Sequence, residues 1–447
     1  MNLPQDFINN TKKIFADSNE AADFFASFNE PRHYGIRANE LKISSQNLAT
    51  VFGDDVGAVP WCKQGFYYTG NKPPSRNPLY HAGLYYIQEP SAMSAAAILG
   101  TKAGDKVLDL CASPGGKSTQ IASALGSEGL LVSNEINFGR MPGLVRNIEM
   151  AGVKNAIILC EKPTRLAQRF PNYFDKILVD APCSGEGMFR KDPEAISAWD
   201  KNKAARLAVI QKGILQDAAK MLAPSGHLVY STCTFTPSEN ENIIEDFLQS
   251  HPHFDSVCIN HKYYGLSPAN QGLTTNNSHA ARIWPHRHRG EGHFIALLRR
   301  RSELHSPAIK QQPNPKFNNK DFNEFCDKYL TSLPSNNILE HRGNLLALPK
   351  YCPDVTGLNI VRLGVLLGSL KKNRFEPSYA LAMSLTPTDF SQVIDLQSQD
   401  PHIIAYLEGQ TLEIDAPDGH NLFCVDGYPL GFAKILKGRL KGRINGR

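Results

Sequence analysis

Five short apolar segments, separated by stretches of helical periodicity, constrain the fold of this 447-residue chain more than any other feature. They occupy residues 106–110 (KVLDL), 130–134 (LLVSN), 156–160 (AIILC), 175–180 (DKILVD) and 227–231 (HLVYS). Helical patterns cover residues 117–125, 140–151 and 204–222 between them, and 239–248 after the last. This alternation predicts an open, doubly wound α/β sheet with parallel strands. Residues 294–299 are expected to add a further edge strand.

Length and composition indicate a globular protein of about three domains, at roughly 150 residues for each domain. The nine cysteines include no CxxC pair and spread over the whole chain, so we expect reduced thiols and no disulfide framework. There is no run of about 18 or more apolar residues, and the N-terminus MNLPQDFINNTKK lacks the apolar centre of a signal peptide. These features predict a cytoplasmic protein without a membrane partner.

The segment LDLCASPGGKSTQIA, at residues 108–122, invites a phosphate-binding interpretation because it contains GGKST. A Walker A loop needs a glycine at the position of Cys111, so a nucleoside triphosphate is disfavoured. Residues 114–116 (PGG) permit a tight turn into a helix whose first amide groups would face a polar ligand. Glu135 follows the second strand, where doubly wound domains place a carboxylate that binds ribose hydroxyls. Since GxGxxG is also absent, the pattern favours a mononucleoside that carries an amino acid, S-adenosyl-L-methionine.

Two cysteines follow the fourth and fifth strands of the predicted sheet, at the same edge. The sequence DAPCSGEG comes directly after the fourth strand and contains Cys183, and STCT comes after the fifth strand and contains Cys233. A single cysteine is most often an inert buried side chain. The arrival of both at one edge, beside the predicted cofactor loop, favours a shared chemical role.

The motifs DLCASPGGKS, SNEI, VDAPCSGEGMFRKDP and YSTCTFTPSENE resemble those of the Nop/Sun family of RNA (cytosine-5) methyltransferases. The resemblance extends upstream into PWCKQGFYY and YYIQEPSAM and is strong over about residues 25–300. It is closest to the bacterial type that modifies 16S ribosomal RNA. The resemblance implies a Rossmann-like S-adenosylmethionine-dependent methyltransferase sheet, a small N-terminal α+β domain and a C-terminal PUA-like RNA-binding module.

The resemblance also implies roles for individual residues in the reaction. Cys233 would attack cytosine C6, so that C5 becomes nucleophilic enough to accept the methyl group, and Cys183 would help to release the product. Asp180 would hydrogen-bond the N3/N4 edge of the base, and Lys117 or a helix N-terminus would assist ionisation of the attacking thiol.

The cofactor residues follow from the same resemblance. The methionine moiety would be enclosed by the loop residues Cys111, Ala112, Ser113, Pro114, Gly115, Gly116 and Lys117, and Asp180 would also bind the cofactor. Glu135 would bind the ribose, and Glu161 the adenine. At the adenine position the family commonly has Asp, often followed by Gly, whereas this chain reads CEKP. An uninvolved surface glutamate therefore remains the alternative for Glu161.

The expected domains are residues 1–75, facing RNA; 76–303, the methyltransferase; 304–370, a linker and accessory domain; and 371–447, the PUA-like module. In the first domain, Phe24, Phe25 and Phe28 are spaced as core residues of a helix. The tail from Ala433 onward carries six cations and no acid, and its glycines predict an extended or looping terminus. These cations are Lys434, Lys437, Arg439, Lys441, Arg443 and Arg447. A solvated, frayed end and an RNA-binding tail remain open alternatives.

RNA is the expected partner, as 16S ribosomal RNA or the 30S subunit, with a monomeric protein. His286, His288 and His293 lack Cys or carboxylate neighbours in a zinc spacing, so no metal is expected. One alternative function is a non-catalytic RNA-binding ribosome assembly factor with a vestigial methyltransferase fold. A DNA cytosine methyltransferase is a second alternative, but the Glu-Asn-Val segment of that class is absent from the sequence.

Overall fold

The computed structural model of the protein describes residues 1–200, 202–269, 279–301, 309–312 and 317–440. Its first part is a four-stranded antiparallel sheet, in the order β2-β3-β1-β4, with helices around it. The elements are α1 Gln5–Lys12, α2 Ser18–Ala26, β1 Tyr34–Ala38, α3 Ser45–Phe52, β2 Val56–Val59, β3 Cys62–Tyr68, α4 Pro78–His81 and β4 Tyr85–Ile87.

The middle of the chain alternates between strands and helices, as predicted. The elements are α5 Ser94–Leu99, β5 Lys106–Asp109, α6 Gly116–Leu125, β6 Leu130–Asn134, α7 Met141–Met150, β7 Ala156–Leu159, α8 Pro163–Arg169, β8 Phe174–Asp180, α9 Pro193–Ser197, α10 Lys203–Met221, β9 Leu222–Thr232, α11 Glu241–Ser250, β10 Phe254–Val257, α12 His261–Tyr264, β11 Ser267–Pro268, β12 Ala281–Ile283 and β13 His293–Arg300.

Strands β7-β6-β5-β8-β9 lie side by side and are parallel, which confirms the doubly wound sheet. Strand β13 then pairs antiparallel with β9, from Phe294 opposite Thr232 to Arg299 opposite His227. The prediction that this strand forms an edge was wrong, because β10 and β12 both pair with it as well. Strand β12 has only three residues, too few for its sequence to show a strand periodicity.

Alternate residues of the parallel strands face opposite sides of the sheet, and both sides are buried. One layer contains Leu108, Leu130, Ile157, Ile177 and Leu228, packed with Leu166 of α8, Leu215 of α10 and Ile244 of α11. The other contains Val107, Leu131, Ile158, Leu178 and Val229, packed with Ile98 of α5, Ile121 of α6 and Leu144 of α7. Burial on both faces is the reason that these strands are continuously apolar in the sequence.

An aromatic cluster joins the N-terminal helices to the loops that follow β8 and β9. Phe24 and Phe28 are buried, as predicted, and Phe25 packs against them. The Phe24 ring centroid lies 4.9 Å from that of Phe235, two residues after Cys233. The N-terminal helices therefore brace the loop that carries this cysteine.

The C-terminal part contains two further sheets, in the orders β14-β15-β17-β18 and β19-β21-β22-β23-β20. The elements are α13 Lys320–Tyr329, β14 Ile338–His341, β15 Asn344–Ala347, β16 Ile360–Leu363, β17 Val365–Lys371, β18 Arg374–Pro377, α14 Tyr379–Ser384, β19 Val393–Leu396, α15 Pro401–Leu407, β20 Leu412–Glu413, β21 Gly419–Val425, β22 Tyr428–Leu436 and β23 Arg439–Leu440. Strand β16 pairs antiparallel with β7, so the C-terminal part extends the central sheet.

The expectation of an extended or looping tail from Ala433 onward was wrong over residues 433–440. Ala433 and Ile435 lie in β22, Leu440 lies in β23, and all three side chains are buried. Their apolar positions alternate with the cations, so the basic residues occupy the outer face of a packed strand. Lys441, Arg443 and Arg447 lie outside the described residues. None of the described helices is long and apolar enough to cross a membrane.

Candidate active site

A cavity of about 230 Å³ opens at the carboxyl edge of the central sheet, where β5, β8 and β9 end. Most of the residues predicted to bind the cofactor or to take part in catalysis line it. These are Cys111, Ala112, Ser113, Pro114, Gly116, Lys117, Asp180 and Cys233. The edge of a doubly wound sheet is where such folds bind their ligands.

The loop between β5 and α6 has the tight turn that the sequence predicts. Gly115 has a φ of 109°, in the region that favours glycine. A Cβ atom at Gly116 would lie 3.0 Å from the ring of Tyr86, which lines the same cavity. Asn147 Nδ2 donates to the Pro114 carbonyl at 2.8 Å and holds the loop against α7. The loop is thereby fixed with the first amide groups of α6 at the cavity wall.

Asp109, at the end of β5, was not predicted as a site residue. Its side chain is fully buried, and Ser118 Oγ donates to Oδ2 at 2.6 Å. The other oxygen, Oδ1, has no hydrogen-bond partner, and burial raises the pKa of this carboxyl to about 7. A buried acceptor without a partner at a cavity wall fits a ligand that brings a donor such as an ammonium group. The sequence signal was an acidic residue inside an otherwise apolar strand.

Arg37 of β1 was also missed, although its side chain holds the start of α6. Nη1 donates to the Gly116 carbonyl at 2.7 Å, and Nη2 donates to Thr119 Oγ1 at 2.7 Å. The side chain is 2% exposed, and burial lowers the pKa of Arg37 to about 10. Its acceptors near α6 are neutral, so the N-terminal sheet supports the cofactor loop through hydrogen bonds from a buried cation.

The two predicted cofactor glutamates lie in different surroundings. Glu135, after β6, accepts from the Asn137 amide at 2.9 Å and pairs with Arg140 at 3.1 Å. Glu161, after β7, is 2% exposed, and its Oε1 accepts from Arg165 at 2.9 Å and from the Asn359 amide at 2.8 Å. Neither side chain lines the cavity at β5, β8 and β9. In this structure the Glu161 carboxylate binds the segment that leads into β16.

The two cysteines meet, as the sequence predicts. Cys183 Sγ and Cys233 Sγ are 3.4 Å apart, although fifty positions separate them in the chain. The hydrogen bond between the two sulfurs, followed by burial, raises the pKa of Cys183 well above its usual value. Cys183 therefore holds its proton more tightly than an ordinary thiol does.

Two buried glutamates that the sequence analysis did not assign hold the cysteine loops. Glu239 accepts from the Ser184 amide at 2.9 Å and from Gln211 Nε2 at 2.9 Å. Glu186 accepts from the Phe235 amide at 2.9 Å and from Thr234 Oγ1 at 2.7 Å. Glu239, after β9, thus accepts from the loop after β8, and Glu186, after β8, accepts from the loop after β9. Their signal in the sequence was the charge inside the SGEG and SENE motifs.

Asp180 lies between a lysine and a histidine at the end of β8. Lys117 Nζ is 2.7 Å from Oδ2, Ser231 Oγ donates to Oδ1 at 2.8 Å, and His293 Nε2 lies 3.5 Å from Oδ1. Burial would raise the pKa of Asp180, but Lys117 and His293 outweigh it and hold that pKa well below its usual range. Burial would lower the pKa of Lys117, but the Asp180 charge raises it. Asp180 is therefore a carboxylate and Lys117 an ammonium group.

The three histidines of the basic segment have separate partners or positions. His286 Nε2 lies 3.3 Å from Glu20, His288 Nδ1 accepts from the Trp284 amide at 3.1 Å, and His293 faces Asp180. Within the described residues, no three His, Cys, Asp or Glu side chains cluster as metal ligands would.

Four family models match the chain in succession. The descriptions are the N-terminal domain of 16S rRNA methyltransferase RsmF at residues 3–90, 16S rRNA methyltransferase RsmB/F at 96–299, the first C-terminal domain of RsmF rRNA methyltransferase at 324–385, and the methyltransferase RsmF PUA domain at 393–444.

Two relatives match this chain over most of their length. Ribosomal RNA small subunit methyltransferase F from Vibrio vulnificus is 32% identical over 89% of this chain and 87% of its own. The protein of that name from Shewanella piezotolerans is 31% identical over 98% of this chain and 96% of its own.

Two solved structures from Pyrococcus horikoshii share the fold. A methyltransferase homologue is 28% identical over 66% of this chain and 94% of its own, with a TM-score of 0.58. NSun6 is 22% identical over 67% of this chain and 99% of its own, also with a TM-score of 0.58. These matches confirm the predicted Rossmann-like, S-adenosylmethionine-dependent methyltransferase with a C-terminal PUA module. With its sheet, its cavity and its paired cysteines, the chain belongs to the RsmB/F family of 16S rRNA methyltransferases.

Proposed function

We propose that the protein transfers a methyl group from S-adenosylmethionine to C5 of a cytosine in RNA, with 16S ribosomal RNA as the substrate. The observation that carries the proposal is the 3.4 Å separation of Cys183 Sγ and Cys233 Sγ, with Cys233 at the wall of the cavity. Methylation at C5 needs one group that adds to C6 and another that takes the proton from C5. Two adjacent thiols supply both.

The residues of the cavity wall fit the methionine moiety of the cofactor. Residues 111–117 would hold the methionine moiety, Asp109 its ammonium group, and Glu135 the ribose, while Glu161 at the adenine stays a prediction from the family resemblance. The orphaned Oδ1 of Asp109 supports the ammonium assignment. When bound, the cofactor supplies an electrophilic methyl group on a sulfonium.

In the first step, the Cys233 thiolate adds to C6 and forms a carbon–sulfur bond, and the electrons of the C5=C6 bond become available at C5. Lys117 is close enough to Cys233 for the two groups to interact electrostatically, which places an ammonium group beside the attacking sulfur. Because Asp180 is ionised, it accepts from the N4 amino group, and the Lys117 ammonium offsets the negative charge that develops on the ring.

In the second step, C5 takes the methyl group and then gives up its proton, so that the double bond re-forms and Cys233 leaves C6 as a thiolate. Cys183 is the base for this proton. Its high pKa has the neighbouring Cys233 as its largest cause. Once the Cys233 sulfur is bonded to carbon, that cause disappears, and only burial and the Glu239 charge still raise this pKa.

The test is bisulfite sequencing of 16S ribosomal RNA from a deletion strain and from strains that express the wild-type chain or Cys233→Ala. A cytosine that is protected only with the wild-type chain supports the proposal. If protection is the same in all strains while 30S assembly fails in the deletion strain, the non-catalytic assembly factor is the better interpretation. Action as a cytoplasmic monomer remains a prediction.

A further inference from the structure

Two arginine–tyrosine pairs lie beside the mouth of the catalytic cavity. The Arg32 guanidinium lies 4.4 Å from the ring centroid of Tyr34, and the Arg289 guanidinium lies 4.2 Å from that of Tyr67. The His33 ring, 6.2 Å from the Tyr67 ring, connects the two pairs. We call these four arginine and tyrosine residues the arginine–tyrosine surface.

The surface borders the cavity through two glutamates of the cavity wall. Glu89 interacts electrostatically with His33 and with Tyr67, and Glu291 interacts with Arg32. Both glutamates line the cavity that contains Cys233. A strand that enters the cavity from this side therefore passes over the surface.

The acidic groups next to the surface are already engaged. Glu89 accepts from the backbone amides of Ser91 and Glu291, and Glu291 forms a buried ion pair with Arg190 at 2.7 Å. Three exposed cations, by contrast, form no ion pair with any carboxylate in the described parts of the chain. These are Arg32 and Arg289 of the surface and Lys191 of the cavity wall.

Burial, followed by the charges of Arg289 and Arg190, lowers the pKa of His33, so this side chain is neutral at pH 7. The positive charge of the surface thus comes from its two arginines. Tyr34 is 48% exposed and offers a ring as well. Planar cations and an exposed aromatic ring side by side are the combination that holds single-stranded nucleic acid, through phosphate contacts and base stacking.

The geometry of the cavity explains why the strand must be single. Cys233 lies in the wall of a cavity at the edge of the sheet, so a cytosine reaches it only after leaving its helical stack. The neighbours of that nucleotide then lose a stacking partner. Exposed aromatic and guanidinium planes replace this lost stacking.

We propose that the arginine–tyrosine surface binds the single-stranded nucleotides that flank the target cytosine. This inference rests on the proposed function for the identity of the substrate, but not for the binding itself. It assigns Arg32 and Arg289 to phosphates and Tyr34 to a base.

The test measures RNA binding in the Cys233→Ala background, so that no covalent step contributes. The probe is a fluorescein-labelled 12-nucleotide single strand with one cytidine, and its affinity is followed by anisotropy over a range of salt. Arg32→Ala/Arg289→Ala should weaken binding about tenfold and reduce the salt slope by about 0.7 for each lost phosphate contact. Tyr34→Leu should weaken binding several-fold without changing the slope, since stacking releases no counterions.

The matched control removes two cations at the opposite edge of the sheet, Lys102→Ala/Arg299→Ala, and should bind as the parent does. Calorimetry with S-adenosylhomocysteine should give the same affinity for every variant. A duplex of the same sequence should bind more weakly and respond less to Tyr34→Leu.

Unchanged single-strand binding in both Arg32→Ala/Arg289→Ala and Tyr34→Leu would overturn the inference. Loss with the arginine variant alone, together with equal competition by polyglutamate, would also overturn it and indicate a surface for acidic protein partners. If the variants lose binding as expected but the wild-type chain methylates no RNA, the proposed function fails and the surface remains. The RNA-binding role of the arginine–tyrosine surface and the proposed function can therefore be refuted independently.

Discussion

Lys117 Nζ lies 2.7 Å from Asp180 Oδ2, which places one ammonium group between the cofactor loop and the loop that carries Cys183. Lys117 is the second residue of α6, and Asp180 is the last residue of β8. The pair lies at the cavity wall, and Cys233 is close enough to act electrostatically on Lys117. A single cation thus acts on both the carboxylate and the thiol to which the proposed function gives catalytic roles.

Replacement of Lys117 by Met should lower the rate of methyl transfer about 100-fold, the usual cost of losing one charge-stabilising donor. Without the ammonium group, the pKa of Asp180 rises toward its ordinary value. Because Asp180 has to be ionised to accept from N4, the acid limb of the pH–rate profile should move to higher pH. Lys117→Arg, which keeps the charge, should leave the limb near its wild-type position. An acid limb that stays in place in Lys117→Met would contradict this role.

The two cysteines should respond differently to substitution, because their proposed roles fall before and after methyl transfer. Cys233→Ala should give neither product nor covalent RNA adduct. Cys183→Ala should still attack the cytosine and methylate it but should release the methylated RNA slowly, so that a protein–RNA adduct survives denaturing electrophoresis. An adduct with Cys233→Ala but not with Cys183→Ala would exchange the two roles. If both variants methylate RNA at the full rate, the thiols are not catalytic.

Cofactor affinity should rise with pH because of Asp109. The pKa of this carboxyl is raised to about 7 in the folded protein, so its contribution to stability is present below about pH 4 and lost as pH rises through 7. An ammonium group binds the ionised form. Between pH 6 and 8 the affinity for S-adenosylhomocysteine, measured by calorimetry, should therefore increase about tenfold. In Asp109→Asn it should be weaker and nearly independent of pH, and an equally steep pH dependence there would refute the assignment.

Arg37→Lys should weaken cofactor binding although Arg37 does not line the cavity. Arg37 reaches Gly116 and Thr119 with two separate nitrogens, whereas the shorter lysine has one, and an unsatisfied buried acceptor costs about 1–3 kcal/mol. We expect a lower Tm and roughly tenfold weaker binding of S-adenosylhomocysteine. Arg300→Lys is the control, since Arg300 is another buried arginine, bonded to the Leu222 carbonyl at the opposite edge of the sheet. Arg300→Lys should lower the Tm without weakening cofactor binding. Equal loss of cofactor binding in both variants would indicate a merely structural role for Arg37.

Truncation of the basic tail should separate RNA affinity from folding if the cut is placed after Leu440. The shortened chain keeps β22 and β23 and loses Lys441, Arg443 and Arg447. Its Tm should be unchanged, while the salt slope of RNA binding falls by about 0.7 to 0.9 for each phosphate contact that is lost. A cut at Ala433 should instead lower the Tm, because it removes buried strand residues. An unchanged slope after the shorter truncation would mean that these three cations are a frayed end.

The sequence by itself predicted the parallel strands, the cofactor loop and the meeting of Cys183 with Cys233. These are consequences of local patterns: strands buried on both faces read as apolar runs, and residues that follow parallel strands share one edge of the sheet. The two thiols, fifty positions apart, were therefore expected at the same edge of the sheet. The sequence did not predict the interior position of β13, because its partners β10 and β12 have only four and three residues and show no strand periodicity.

Only the tertiary structure decided which polar side chains complete the site. Arg37 of the N-terminal sheet donates to the Gly116 carbonyl of α6. Glu239 joins the two cysteine loops by accepting from Ser184, and Glu161 accepts from Arg165 and Asn359. These contacts join residues from 4 to 198 positions apart, through hydrogen bonds whose direction depends on how whole elements pack. The ionisation of Asp109, Asp180 and Cys183 was decided at the same level, because burial and a neighbour's charge or hydrogen bond exist only in the folded chain.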